Sequence, residues 1–146
     1  MTEFIFDKWL IEHDTDATQK AYEAIPVGGA EKCSCGYCRN FVRARAQFFS
    51  SDTLRLLAQL GIDYTKDVEA YSLGDVESGL ELYGVWYYFI GKVEEQFVAQ
   101  AETDTHFSIK FAPATGKMAA QSFAQQPLGV VAIENEVAWL LEESDE

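Results

Sequence analysis

Histidine is scarce in this chain, with two in 146 residues, and cysteine is nearly so, with three. Three is an odd number, which speaks against an extracellular disulfide framework and fits a reducing compartment. No charged amino-terminal region leads into an apolar run with a cleavage site, so no signal peptide is expected. No apolar stretch approaches the roughly 20 residues needed to span a bilayer. A cytoplasmic protein without a membrane association is therefore expected. The G-x-S-x-G signature of a nucleophile elbow is missing as well. ATGKM (114–118) lacks both the leading glycine and the closing Ser or Thr of a phosphate loop, which excludes that reading.

Positive charge is also in short supply. Eleven Lys and Arg stand against 24 Asp and Glu, a net charge of −13. Such a surface repels phosphate backbones and anionic lipid, so no nucleic-acid or membrane partner is expected. Solubility alone accounts for the excess of acid. A more pointed alternative is an acidic inhibitor or immunity-type protein that blocks a basic toxin or nuclease. Paired acids such as Glu134 and Glu136 are expected by chance in so acidic a chain, and they face water more often than they do chemistry.

Hydrophobic residues, by contrast, are plentiful at 48%, with 14% aromatic. A chain of this length buries some 68–70% of its unfolded surface without a metal or disulfide. Residues 3–12 (EFIFDKWLIE) read as a strand. Asp14 or Asp16 then caps a helix that ends before Pro26. PVGGA is a turn. From Cys38 on, Phe41, Val42, Arg45, Phe48 and Phe49 recur at helical spacing, and the first turn of that helix falls inside the cysteine motif. Ser50 and Ser51 cap a further helix that Gly61 closes, with Ile62 placed for the usual hydrophobic contact.

Beyond Thr65 the period changes. Residues 68–73 read as a strand and 80–93 as a central one, apolar on both faces. A short turn near Gly91 and Lys92 would let 94–100 pair back on it. THFSIKF (105–111) alternates as a half-exposed strand, 113–127 is an Ala/Gln-rich connection, and 130–141 is a last strand with a bend at Asn135. The tail 142–146 is expected to be solvated. Helices first and strands later describe a single α+β domain over 1–146, an antiparallel sheet packed against two or three helices.

All three cysteines lie within six residues, in CSCGYC (33–38). They occupy the one basic island of the chain: between Glu31 and Arg45, Lys32, Arg39, Arg43 and Arg45 face a single acid, a local +3 that leaves −16 for the remainder. Three readings follow. In the first, Cys33, Cys35 and Cys38 are thiolate ligands of a structural metal, zinc being expected, because C-x-x-C lets two sulfurs and nearby N–H groups converge on one ion. The fourth ligand would be His13 or His106, an acid or water; the second knuckle of a zinc module is missing. In the second, Cys35 and Cys38 form a redox pair at a helix N-terminus beside cations, with Cys35 the nucleophile in thiol–disulfide exchange. Such a site ordinarily follows a buried strand, whereas this one follows a turn. In the third, the thiols are small hydrophobes packed near a helix start. Arg39, Arg43 and Arg45 would offer a small anion-binding or docking patch beside the motif.

CSCGYCRNF (33–41), LGID (60–63) and YGVWYYFIG (83–91) resemble a group of small bacterial proteins of uncharacterised function, which carry a C-x-C-x-x-C-x-N-F element, a helix ending in LGID and a Y-G-x-W-Y strand. The resemblance spans roughly residues 33–91 and brings no established activity. It implies that the cysteine element belongs to the fold; read physically, Asn40 caps or bridges near the helix start and Phe41 anchors the helix in the core. The expected role is that of a non-enzymatic binding or accessory protein with a protein partner.

Overall fold

The computed structural model of the chain describes residues 1–77, 79–95, 108–114 and 118–141. Residues 3–12 form a hairpin rather than one strand: β1 (Thr2–Phe6) and β2 (Trp9–His13) pair antiparallel, closing at Phe6↔Trp9. Asp7 takes the first place of the two-residue turn at φ 53. Aspartate tolerates this left-handed conformation because its short side chain bonds locally.

Asp14 caps α1 (Thr15–Glu23), its carboxylate accepting the Ala17 N–H at 3.0 Å. The turn after Pro26 winds into one helical turn, α2 (Gly29–Lys32). A Cβ on Gly28 would stand 2.5 Å from the Thr65 carbonyl, and one on Gly29 only 2.3 Å from that of Val68. The paired glycines are thus there for close approach. Asp67 fastens the contact, its carbonyl accepting the Gly29 N–H at 2.9 Å and its carboxylate that of Ala30 at 3.1 Å. Next come α3 (Gly36–Phe48) and α4 (Ser51–Leu60). Ser50 caps α4 by accepting the Thr53 N–H, and Gly61 ends it at φ 86, with the Ile62 N–H reaching back to the Leu57 carbonyl. That is the predicted left-handed stop. No helix among the described residues is long and apolar enough to cross a membrane.

Sixteen-residue β4 (Leu80–Glu95) is the axis of a six-stranded antiparallel sheet. On one side, β6 (Leu128–Ala138) pairs from Ile90↔Leu128 to Leu80↔Ala138, and β5 (Ser108–Pro113) pairs beyond it. On the other, β3 (Glu69–Glu77) pairs with the first half of β4 and β2 with Gly91–Glu95. The strand therefore runs on through Gly91 and Lys92 instead of turning there. Gly91 is required because a Cβ would lie 1.9 Å from the Glu12 carbonyl. Glu94 and Glu95, expected to turn back on the strand, continue it and pair with Leu10 and Trp9; residues 96–107, with the rest of that expected pairing, and the tail 142–146 lie outside the described residues.

Tyr83, Val85, Tyr87 and Phe89 are fully buried on one face of β4; on the other, Tyr88 and Ile90 are buried while Leu82 and Trp86 are half-covered. They join Phe41, Phe48, Leu57, Leu60, Val131 and Ile133 in one core. The result is the expected α+β domain, with four helices among the described residues rather than two or three because α2 was hidden in the turn.

Candidate thiolate centre

The three cysteines straddle a joint between helices. Cys33 follows the last residue of α2 in an extended conformation, Ser34 bridges, and Cys35 stands at the N-cap of α3, also extended. A cap residue needs an acceptor for the free N–H groups of the first turn. Here the Cys35 sulfur takes the role that Ser or Asp usually fills, accepting the Cys38 N–H at 3.4 Å. Cys38, in that first turn, is carried back over the cap by the helical winding.

Two turns of backbone thereby converge on one point. The three thiols are free, the Sγ atoms of Cys33 and Cys35 are 3.2 Å apart, and all three sulfurs lie within 4.8 Å of one another. Tetrahedral zinc at the usual Zn–S length of about 2.3 Å requires sulfurs about 3.8 Å apart. The Cys33–Cys35 separation falls short of that value and the whole group lies within 4.8 Å, so the three sulfurs are close enough together to hold a metal ion. Cys35 is exposed, and Cys33 and Cys38 are half-buried. Without an ion the thiols lean on each other's protons. Hydrogen bonds from Cys38 and Cys35 hold the Cys33 thiol below its ordinary value, whereas burial, and then its neighbours' sulfurs, push the Cys38 thiol up.

The joint stands on a buried polar anchor. Asn40, fully buried on α3, donates to the Tyr83 hydroxyl at 3.3 Å and to the Ala138 carbonyl at 3.2 Å, and accepts the Leu140 N–H at 2.6 Å. Tyr83 in turn donates to the Tyr37 carbonyl, between Cys35 and Cys38, at 2.8 Å. Tyr37 meets Trp139 edge to face at 5.7 Å. The turn bearing the thiols is thus tied to β4 and to the end of β6.

The remaining predicted residues do not gather at the sulfurs. His13 is a core residue, 2% exposed, whose Nδ1 meets the Thr15 hydroxyl at 3.1 Å and whose ring packs edge-on to Phe4. It pairs with Gly91, eight residues along β4 from Tyr83, a separation of roughly 26 Å at strand rise. It is therefore corrected from weak fourth ligand to core side chain; burial lowers its pKa, favouring the neutral ring. His106 lies outside the described residues. Among the described residues, no histidine or carboxylate joins the three sulfurs.

The arginine patch divides. Arg43 is exposed, and Arg39, also at the surface, donates from Nε to the Ser34 carbonyl at 3.1 Å, folding its guanidinium toward the cysteine loop. Arg45 turns inward instead. Its side chain is only 15% exposed, 3.6 Å from Glu31 and over the Tyr64 ring at 5.9 Å, and so it leaves the docking patch. Helical spacing alone placed it with Phe41 and Phe48, but the basic composition of the segment obscured that signal. A cleft of about 210 Å³ opens beside α2, lined by Tyr22, Ile25, Lys32, Asp67, Tyr88 and Phe123 among others; no cysteine lines it.

The fold and site define an α+β domain with a surface three-thiol centre at a helix–helix joint. No protein-family model matches the chain, and neither curated proteins nor solved structures yield a match.

Proposed function

We propose that the chain is a non-enzymatic binding or accessory domain whose Cys33, Cys35 and Cys38 hold a single zinc ion. The convergence of the three sulfurs within 4.8 Å carries this reading. Soft thiolates select zinc, copper(I) or iron–sulfur clusters, and cluster ligation ordinarily takes four cysteines. Zinc is favoured for its tolerance of a C-x-x-C knuckle at a helix start. Bound there, it would lock the angle between α2 and α3 and fix the surface around Lys32, Arg39 and Arg43, where a protein partner would dock.

Elemental mass spectrometry on untagged protein, with thiols titrated before and after chelation, tests the reading. One zinc per chain, with thiols masked until the chelator is added, is the expected result. A metal-free protein with one fast-reacting thiol would replace it by thiol–disulfide exchange. That second reading gains some support from the 3.2 Å approach of Cys33 to Cys35 and from the lowered Cys33 thiol. It would shift the nucleophile from Cys35 to Cys33. In this case Cys33→Ser protein should lose the ability to reduce insulin disulfides.

A further inference from the structure

We propose, resting on the zinc reading, that the metal's fourth coordination position is taken by a thiolate from a second molecule, so that the centre is an open docking point rather than a closed staple. Three observations converge. Tetrahedral zinc needs four donors, and among the described residues the cluster supplies three. Cys35 is exposed and Cys33 half-buried, so the group can be approached from solvent on their side. The surroundings also suit an anion. Zinc(II) with three thiolates carries −1, and an incoming thiolate raises that to −2. Lys32 adjoins Cys33 at the end of α2, the Arg39 guanidinium bends to the Ser34 carbonyl, and Arg43 is exposed one turn further along the same face of α3. In a chain of net charge −13, the segment from Glu31 to Arg45 that carries the three sulfurs has a local charge of +3.

The step is a ligand exchange with no change of oxidation state. The incoming R–SH gives its proton to solvent, its sulfur bonds to zinc, and a zinc-bound water leaves. An imidazole donor would leave the charge unchanged and gain nothing from the basic rim. A small thiol that also carries carboxylates gains both the zinc bond and the cationic neighbours.

Cobalt(II) loaded into the full-length, phosphine-reduced protein makes the exchange visible, because sulfur-to-cobalt charge transfer grows with each thiolate bound. Titration with glutathione should raise that band to saturation at one equivalent, whereas S-methylglutathione, which offers no thiolate, should leave it unchanged. Charge reversal at Lys32→Glu and Arg43→Glu should leave cobalt uptake intact and weaken glutathione binding roughly fivefold, as expected for two exposed charge contacts. Failure to bind cobalt at all would remove the metal centre, and this inference with it. Cobalt binding with a four-donor tetrahedral spectrum that glutathione does not alter would overturn the open position alone, because the chain would be closing its own site. Loss of the band as glutathione strips the metal would overturn it too. An unchanged glutathione affinity in the charge-reversed protein would remove Lys32 and Arg43 from the recognition.

Discussion

The two ends of CSCGYCRNF, one at the joint between α2 and α3 and the other inside α3, live in different surroundings. Its second half, Asn40 and Phe41, is sealed in the core, with every polar atom of the Asn40 amide engaged and Phe41 packed edge-on to Phe48 at 5.1 Å. Its first half lies nearer the surface, with Ser34 and Cys35 exposed, and is held by the Tyr83 hydroxyl, the Trp139 ring and the Arg39 guanidinium. Thiols that exchange with solvent need access, and a defined geometry needs support. Here precision is supplied from beneath, by a polar anchor in the interior, while access is kept above. Substitutions in the two halves should therefore damage different properties.

Phe41→Ala should do the largest harm to the fold, about 3–5 kcal/mol for truncating a fully buried aromatic, read as a drop in denaturant midpoint with the metal left out. Asn40→Ala should follow at about 2–4 kcal/mol, because the Leu140 N–H and the Ala138 carbonyl lose their partner in a dry site. It should also loosen zinc, which Phe41→Ala at equal folded fraction should not; if both weaken zinc alike, the anchor has no special tie to the thiols. A third probe uses pH. Burial pushes the Tyr83 hydroxyl up to about 12 and raises Tyr22 and Tyr87 well above the usual tyrosine range. The unfolded chain releases these protons near pH 10, so the contribution to stability is complete below that pH and is lost as pH climbs from about 10 through 12. Tyrosinate absorbance should rise together with the loss of circular dichroism, and ionisation without unfolding would refute the anchor's rigidity.

At the open end, effects on the fold should shrink. Cys35→Ser should abolish stoichiometric zinc yet leave the metal-free stability unchanged to within about 0.5 kcal/mol, because serine is a better helix cap than the sulfur it replaces. On the zinc proposal, what would disappear is the added stability of an ion that binds only the folded state. Arg43→Ala should be smallest of all, silent in melting and in zinc content.

Much of this division was written in the sequence, and the part that was not has a common cause. Ser50, Gly61 and Ile62 bracket α4 through bonds only a few residues long, so their pattern is local and readable. The start of α3 inside the cysteine motif was legible for the same reason. The turn at Asp7 escaped because it uses an aspartate followed by lysine where a glycine would have announced it. Gly28 and Gly29 looked like a loop, although their purpose is contact with Thr65 and Val68, some 40 positions on. His13 and Arg45 were misplaced because a ligand or a docking residue is defined by where the fold carries it. Asn40 was expected to cap or bridge, and its partners, 43, 98 and 100 residues away, could not be named.

Those distances have a consequence during synthesis. The helix that presents the thiols leaves the ribosome early, while Ala138 and Leu140 follow about 100 residues later, an interval of about 5–20 s at ordinary elongation rates. Throughout that interval the nascent chain offers three closely spaced thiols on a segment not yet pinned to its sheet. The mature centre is thus a late product of folding, and any chain interrupted before the last strand would display the cysteines without the geometry that makes them selective.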